Sequence, residues 1–535
     1  MKNHFKTALG VEAGKLRKRT AAILAATAVI LTGCSSAGSS AEGDSAGDGG
    51  NSKGGELVIA SLPAMIDPYV TSSRSNWMVA ASVCEGLFAN AANTEAKEGL
   101  VESYTYDEAA GVYILNLRQG VNFHNGGELN SADVVASLER YSAGDAGSLF
   151  AELVADISAK DDYTVEITTR EPTGVIPSLL ATPDTGAYVM SAASLEEAGD
   201  AELNSLDCTG PYKLDSFTVD DEAVVSRFDN YSSRDEAPDG ATGSKEALAD
   251  TLRFISLNDD NVVNQLRTGQ VNIAPQFVSM DQLAVYEADP SLNPVVSPGA
   301  GFSLLQFNLK AGPMTDLALR KAVMNAVDPE GIAIQQLGSD EYFEDISSMF
   351  PEDSPWYSEA GNDIWSSRNP DTASELLKES DYDGEPIRIL YRPSSDNYGP
   401  LLKQQLEAVG FTVDLISVDA ATFGATRQQE SEWDIFLAGG TAYSDPLTVV
   451  FLNDDFPGWW SSPEKSELLK KMTAGATIEE RKPYWDEIQQ MIWDELPFVK
   501  LGQEARLVVT SDDVVGLEPA QGTVRGFYNV GRENS

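Results

Sequence analysis

The residues able to do chemistry in this chain are few and unevenly placed. It has two histidines and three cysteines, with 83 carboxylates set against 37 lysines and arginines. His4 lies in a basic N-terminal stretch, which leaves His124 alone in the body of the chain. A single histidine is a poor supply for a Ser-His-Asp or Cys-His mechanism. It also rules out a histidine-rich metal site, and too few cysteines remain for a structural zinc site. No glycine-rich phosphate loop is present, so any nucleotide is hydrolysed by a partner rather than here. Carboxylate pairs could in principle serve acid–base work, but in so acidic a chain their nearness in sequence carries no information. The net charge of -46 argues against nucleic acid, whose phosphates would be repelled, and fits a solvated acidic surface. These features point to binding rather than catalysis, with no metal and no cofactor.

Elements must still position whatever binds, and the stretch from Leu117 to Tyr141 shows how. VYILNLR reads as the end of an alternating strand, in which Val112, Ile114 and Leu117 sit among polar or differently facing neighbours. Asn125, Gly126 and Gly127 form a turn. Ser131 is placed to cap a helix, and Asp133 puts a negative charge in its first turn. Val134, Val135, Leu138 and Tyr141 then recur at helical spacing, and Arg140 closes the helix with the charge its end prefers. His124 sits in the turn, where packing and hydrogen bonding are its expected work.

The order of residues here, LNLRQGVNFHNGG followed by NSADVVASLERY, resembles the signature of the bacterial extracellular solute-binding proteins of family 5. These serve ABC importers of dipeptides, oligopeptides and nickel. Further stretches resemble the family in order: IDPY from Ile66, CEGLF from Cys84, DCTGPYKL from Asp207 with Cys208 in place of a glycine, and FDNYSS from Phe228. TLRFISLNDDNVVNQLRTGQVNIA and LLQFNLKAGPMTDLALRKAVMNAVD follow, the second with Asp316 as helix cap. The family's closing helix is matched by ERKPYWDEIQQMIWDELPFVKL. The likeness runs from about Gly55 to Val530.

The resemblance implies an α/β fold of the periplasmic-binding-protein-like type II class, with two lobes, a hinge and an extra inserted subdomain. It places the first lobe in 56–89, 207–298 and 501–535, the insert in 90–206 and the second lobe in 299–500. It implies permease and ATPase partners, a monomer, and a solute held between the lobes. Both Cys84 and Cys208 would fall in one lobe, which leaves a bridge between them open. Alternation of helices and strands after Asn369 agrees with an α/β lobe.

The N-terminus carries six basic residues, then the short apolar run Ala21–Leu31, then LTGC. The run is too short to span a bilayer and reads as a secretion signal over 1–33. LTGC resembles the lipobox of bacterial lipoproteins, with lipid on Cys34. Losing the signal takes the charge from -46 to -51. Residues 34–55, rich in glycine and serine, read as a flexible tether of roughly 25 Å. The expected location is the outer face of the cell membrane, or the periplasmic side where an outer membrane exists.

Residues expected at the ligand follow from the resemblance. Tyr69, Arg74 and Trp77 lie in a segment that lines one cleft wall, and Thr185 lies in a region that relatives present to the ligand. Tyr391 and Arg392 join them from the second lobe, with Gly440, Thr441, Ala442, Tyr443 and Asp445 from LAGGTAYSDPLTVV. Peptide-binding relatives hold the ligand's amino group with an aspartate upstream of an acidic-Pro pair, and Ala442 occupies that place here. Nickel binders carry an arginine near Thr185, which this chain lacks. A peptide is the expected solute as the family's commonest class. A nickel chelate, opine or oligosaccharide stays open, and so does a hydrolase or a surface receptor without transport. Asp235, Asp239, Gly240 and Glu246 fall near the spacing of a calcium loop, but Ala237 and Pro238 break it, so a solvated loop is expected.

Overall fold

The computed structural model describes residues 53–70, 74–183, 185–257, 261–275, 278–441, 443–519 and 526–533. The signal segment, Cys34 and most of the tether lie outside them. Among the described residues no helix is long and apolar enough to cross a membrane.

Two long strands organise the rest. Leu292–Phe307 and Phe498–Ser511 pair antiparallel, and their register breaks between Ser297 and Gly301. On one side of the break their ends join Ile273–Ala274, Glu56–Ile59, Thr251–Ile255, Glu222–Arg227 and Tyr212–Thr218. On the other side they join Ile435–Thr441, Ile387–Tyr391 and Val413–Ser417. The last two run parallel, connected by the helix Gly399–Val409, as parallel strands require. The result is one 11-stranded sheet whose two halves are the lobes. A β-bulge bends a strand pair and raises its twist, so this break is the natural crossing between lobes. Gly299, at φ 63°, provides the left-handed turn within it. The two-lobed α/β expectation holds.

A separate four-stranded antiparallel sheet is built from Val101–Asp107, Val112–Leu117, Thr164–Thr169 and Val154–Asp161. Its buried face carries Tyr113, Leu115 and Leu117, while Val112 and Ile114 are half-buried on the other. Tyr113 decides this, because its ring stacks on Tyr106 and its hydroxyl donates to the Thr173 carbonyl. Leu115 and Val165 share one core with Leu57 and Val79, so this sheet and the first lobe bury apolar surface together.

Two local expectations also change. The helix Ser131–Ala143 is capped by Asn130, whose side chain accepts from Ala132 N at 2.8 Å, while Asp133 accepts from Asn130 N. Ser131 instead donates to the Asp161 carbonyl. The apolar pattern over 175–191 reads as a helix interrupted by Pro183 and Gly186, but among the described residues the structure has no such helix there. In its place stand a short helix Ile176–Leu179 and a strand Ala181–Thr182 paired with Phe88–Ala89. Pro183 accounts for this, since it disfavours helical backbone at the residue before it. The helix Leu317–Ala326 is capped by Asp316 as expected, at 2.8 Å from Ala318 N.

His124 ties the turn to the stretch around Cys208. Its Nε2 lies 3.1 Å from the Gly210 carbonyl, Cys208 N approaches its Nδ1, and its ring meets Phe228 edge-on at 4.9 Å. Those contacts fit a neutral imidazole, and burial holds its pKa below the ordinary value. Cys84 and Cys208 are joined as a disulfide with Cα atoms 4.9 Å apart. At the near-match to a calcium loop, Asp239 is spent on Ala92 N and Lys97.

Candidate functional site

The strand Phe498–Ser511 reaches the lobe crossing with alternating faces. Ala505, Leu507 and Val509 go into a core with Val58 and Val271. Glu504 and Arg506 therefore take the opposite face. They line a cavity of about 350 Å³ that is also bounded by Met78, Met280, Gln336, Ser394 and Asn397. Behind Gln336, and outside the lining, the Ser303 hydroxyl donates to its Oε1 at 3.3 Å.

Arg506 is held by two glycines. A Cβ at Gly301 would stand 2.1 Å from Arg506 Nε, so the guanidinium lies over a strand position where only glycine leaves room. From there its Nη2 donates to the Gly440 carbonyl at 2.9 Å. Glu504 is 3% exposed, and its nearest cation is Arg506 at 3.9 Å. A polar cavity with one carboxylate and one guanidinium can hold a small solute by charge pairing, which is strong away from water.

A family model described as bacterial extracellular solute-binding proteins, family 5 Middle, matches residues 95–459. The chain belongs to this family. Family 5 is a family of binding proteins. A probable peptide ABC transporter periplasmic-binding protein of Sinorhizobium fredii is 26% identical over 492 residues, covering 85% of this chain and 90% of the relative. A glutathione-binding protein of Escherichia coli O1:K1 is 26% identical over 496 residues, covering 86% and 91%. The crystal structure of an ABC transporter substrate-binding protein of Listeria monocytogenes superposes with a TM-score of 0.77 at 21% identity, over 90% of this chain and all of that one. It shares the fold.

Among the described residues, none of those expected at the ligand is in the lining of this cavity. Tyr69 is 1% exposed core, its hydroxyl donating to the Tyr188 carbonyl. Trp77 is half-buried against the same core beside Gly186. Thr185 is spent on the local backbone at Ala181 and Ala187. Tyr391 packs on Gly399, and Arg392 pairs with Asp396 and lies over the Phe423 ring. Tyr443 packs between Phe302 and Phe451, which pushes its phenol pKa upward through burial. Asp445 is fully buried against Arg481. Gly440 and Thr441 do reach the edge of the site, through the Arg506 contact and the pairing of Thr441 with Gly301. Ala442 and the Arg74 side chain lie outside the described residues.

Glu504 and Arg506 were missed because GQEARLVV reads as an ordinary strand. The available signal was two opposite charges at i and i+2, both on one face of a strand whose other face is apolar.

Close by, Lys500 is fully buried and donates to the Ser348 carbonyl. Burial pulls its pKa down to about 7, against the pull of the Glu344, Glu504 and Asp345 carboxylates. The unfolded chain holds this proton up to about pH 10.4. Stability from this group therefore rises as pH climbs from 7, because the unfolded state binds more protons there. Urea unfolding should show a gain of about 2–3 kcal/mol between pH 7 and pH 9 that Lys500→Met lacks. Equal slopes in the two proteins would show that Lys500 is not the group responsible.

Proposed function

We propose that this family 5 protein captures a peptide or a similar small solute between its lobes and delivers it to the permease of an ABC importer. Lipid on Cys34 would hold it at the outer face of the membrane. The division that goes with this reading is 56–89, 207–298 and 501–535 for the first lobe, 90–206 for the insert and 299–500 for the second lobe. The observation that carries the reading is a polar cavity bounded by both lobes and by the strand that crosses between them. At about 350 Å³ it lies at the small end of ligand pockets and suits a solute of a few residues. The names of the relatives, a peptide binder and a glutathione binder, support the same class. Closure about the bulge would add contacts made only in the closed state, and a permease can read that state.

Thermal shift of the full chain against di- to hexapeptides, nickel with chelators, and oligosaccharides tests this. A ligand at a hundredfold excess over its Kd raises stability by about 2.7 kcal/mol. The expected result is a shift with peptides and intact peptide recovered afterwards. A shift only with another class would replace the solute, and cleaved peptide would make the protein a hydrolase.

A further inference from the structure

Away from the crossing strands, the chain makes a second and closer contact between distant segments. Gly174 N donates to the Gly475 carbonyl at 2.9 Å, and a Cβ at Gly174 would stand 2.2 Å from the Ala476 oxygen. In the proposed division Gly174 falls in the insert, and Gly475 and Ala476 fall in the second lobe. Each side is built into its own body. Val175 and Ile176, next to Gly174, lie in the core that holds Leu57 and Val79, and the Thr173 carbonyl accepts from Tyr113. Gly475 and Ala476 join the helices Pro463–Ala474 and Ile478–Glu495. Ala476 N donates to the Glu480 carboxylate at 2.7 Å, and Thr477 caps the second helix. Leu447 adds an apolar contact, packing against the core of Leu57 and Val79 and also against that of Phe302 and Trp485.

The backbone of Gly174 is not in the left-handed region, so its own conformation would accept alanine. What excludes a side chain there is the approach of Ala476. None of Gly174, Leu447, Gly475 and Ala476 lines the cavity. We propose that this contact is a latch of the closed cleft: it holds the insert against the second lobe, biases the chain toward closure before a solute arrives, and so raises affinity from outside the cavity. The inference rests on capture between the lobes. A solute that binds only the closed form loses apparent affinity in proportion to the fraction of chains that are open. The latch uses backbone and one leucine rather than charge. That suits a chain with 83 carboxylates against 37 lysines and arginines, whose facing surfaces would repel.

Gly174→Ala separates the latch from the fold, because its methyl group fits the local backbone and collides with Ala476. Hydrogen exchange on the full wild-type chain, without solute, should show the Gly174 amide exchanging at least tenfold more slowly than an unstructured glycine amide. In Gly174→Ala that protection should vanish, while the strand Thr164–Thr169 of the same insert keeps its own. X-ray scattering should show a larger radius of gyration for the variant. Titration with trialanine should give affinity at least tenfold weaker than in the wild type. An unprotected Gly174 amide in the wild type overturns the proposal, and so does a variant with wild-type dimensions and affinity. The wild-type measurement needs no variant that folds. Should trialanine fail to bind the wild type, that counts against peptide capture, and exchange and scattering still decide the latch. Should it bind both proteins equally, capture stands and the latch falls.

Discussion

Replacing Asp445 with alanine is expected to cost about 3–5 kcal/mol of stability and to leave solute affinity unchanged in the fraction that stays folded. Asp445 is 0% exposed and Arg481 2%, so neither charge is repaid by water. Both carboxylate oxygens take guanidinium donors, and Asp445 also accepts from Leu447 N at 3.0 Å to cap the short 3-10 turn Pro446–Thr448. Arg481 gives its Nε to the Met472 carbonyl and lies 4.7 Å from the Trp356 ring centre. Removing the aspartate strands a buried guanidinium, which is why the single change costs more than the pair contributes. The double variant Asp445→Ala with Arg481→Met should recover much of the loss, because a buried pair exchanged for apolar groups is often neutral or better. Urea unfolding of the two variants, with a solute titration beside it, separates the alternatives. A normal stability with lost affinity would return Asp445 to the cleft.

That residue also shows where reading the sequence stops. An acidic-Pro pair in LAGGTAYSDPLTVV points to the cleft in relatives, and nothing local reveals that Arg481, on a helix 36 residues later, neutralises it. Features that depend on near neighbours were legible. Asp316 caps its helix, His124 hydrogen-bonds within its turn, and the alternation after Asn369 becomes parallel strands with helical crossovers. One-residue errors came from competition at close range. Asn130 and Ser131 are both good caps, and the Asp161 carbonyl took the serine. The candidate site was the least legible part, because it depends on register. Glu504 lies opposite Gly301 just past the slip after Ser297, and Arg506 reaches Gly440 across Gly301. Those contacts join residues 66 to about 200 positions apart, where local pattern carries no information.

Removing the Cys84–Cys208 disulfide is the second large effect expected. It closes a loop with a sequence separation of 124, and the chain-entropy account assigns about 4–5 kcal/mol to a loop of that length. Losses of about 2–5 kcal/mol are usual for native disulfides. The upper half of that range is expected here, because other contacts hold the same two segments together and the folded chain gains little freedom when the bond is lost. Gly210 N donates to the Val83 carbonyl at 2.9 Å, and a Cβ at Gly210 would stand 2.4 Å from that oxygen, so the backbones touch. His124 N donates to the Cys208 carbonyl at 2.9 Å. Buried Glu85 accepts from Thr209 at 3.1 Å and from Tyr231 at 2.9 Å, with Lys245 at 3.6 Å. The unfolded chain gains freedom when the bond is lost, while the folded chain keeps this network. The double variant Cys84→Ala with Cys208→Ala should therefore unfold at lower urea and bind its solute unchanged, since neither cysteine lines the cavity. A loss below about 1 kcal/mol would mean that the unfolded chain is already constrained there. A change in affinity would mean that the first lobe transmits strain at this point to the crossing strands.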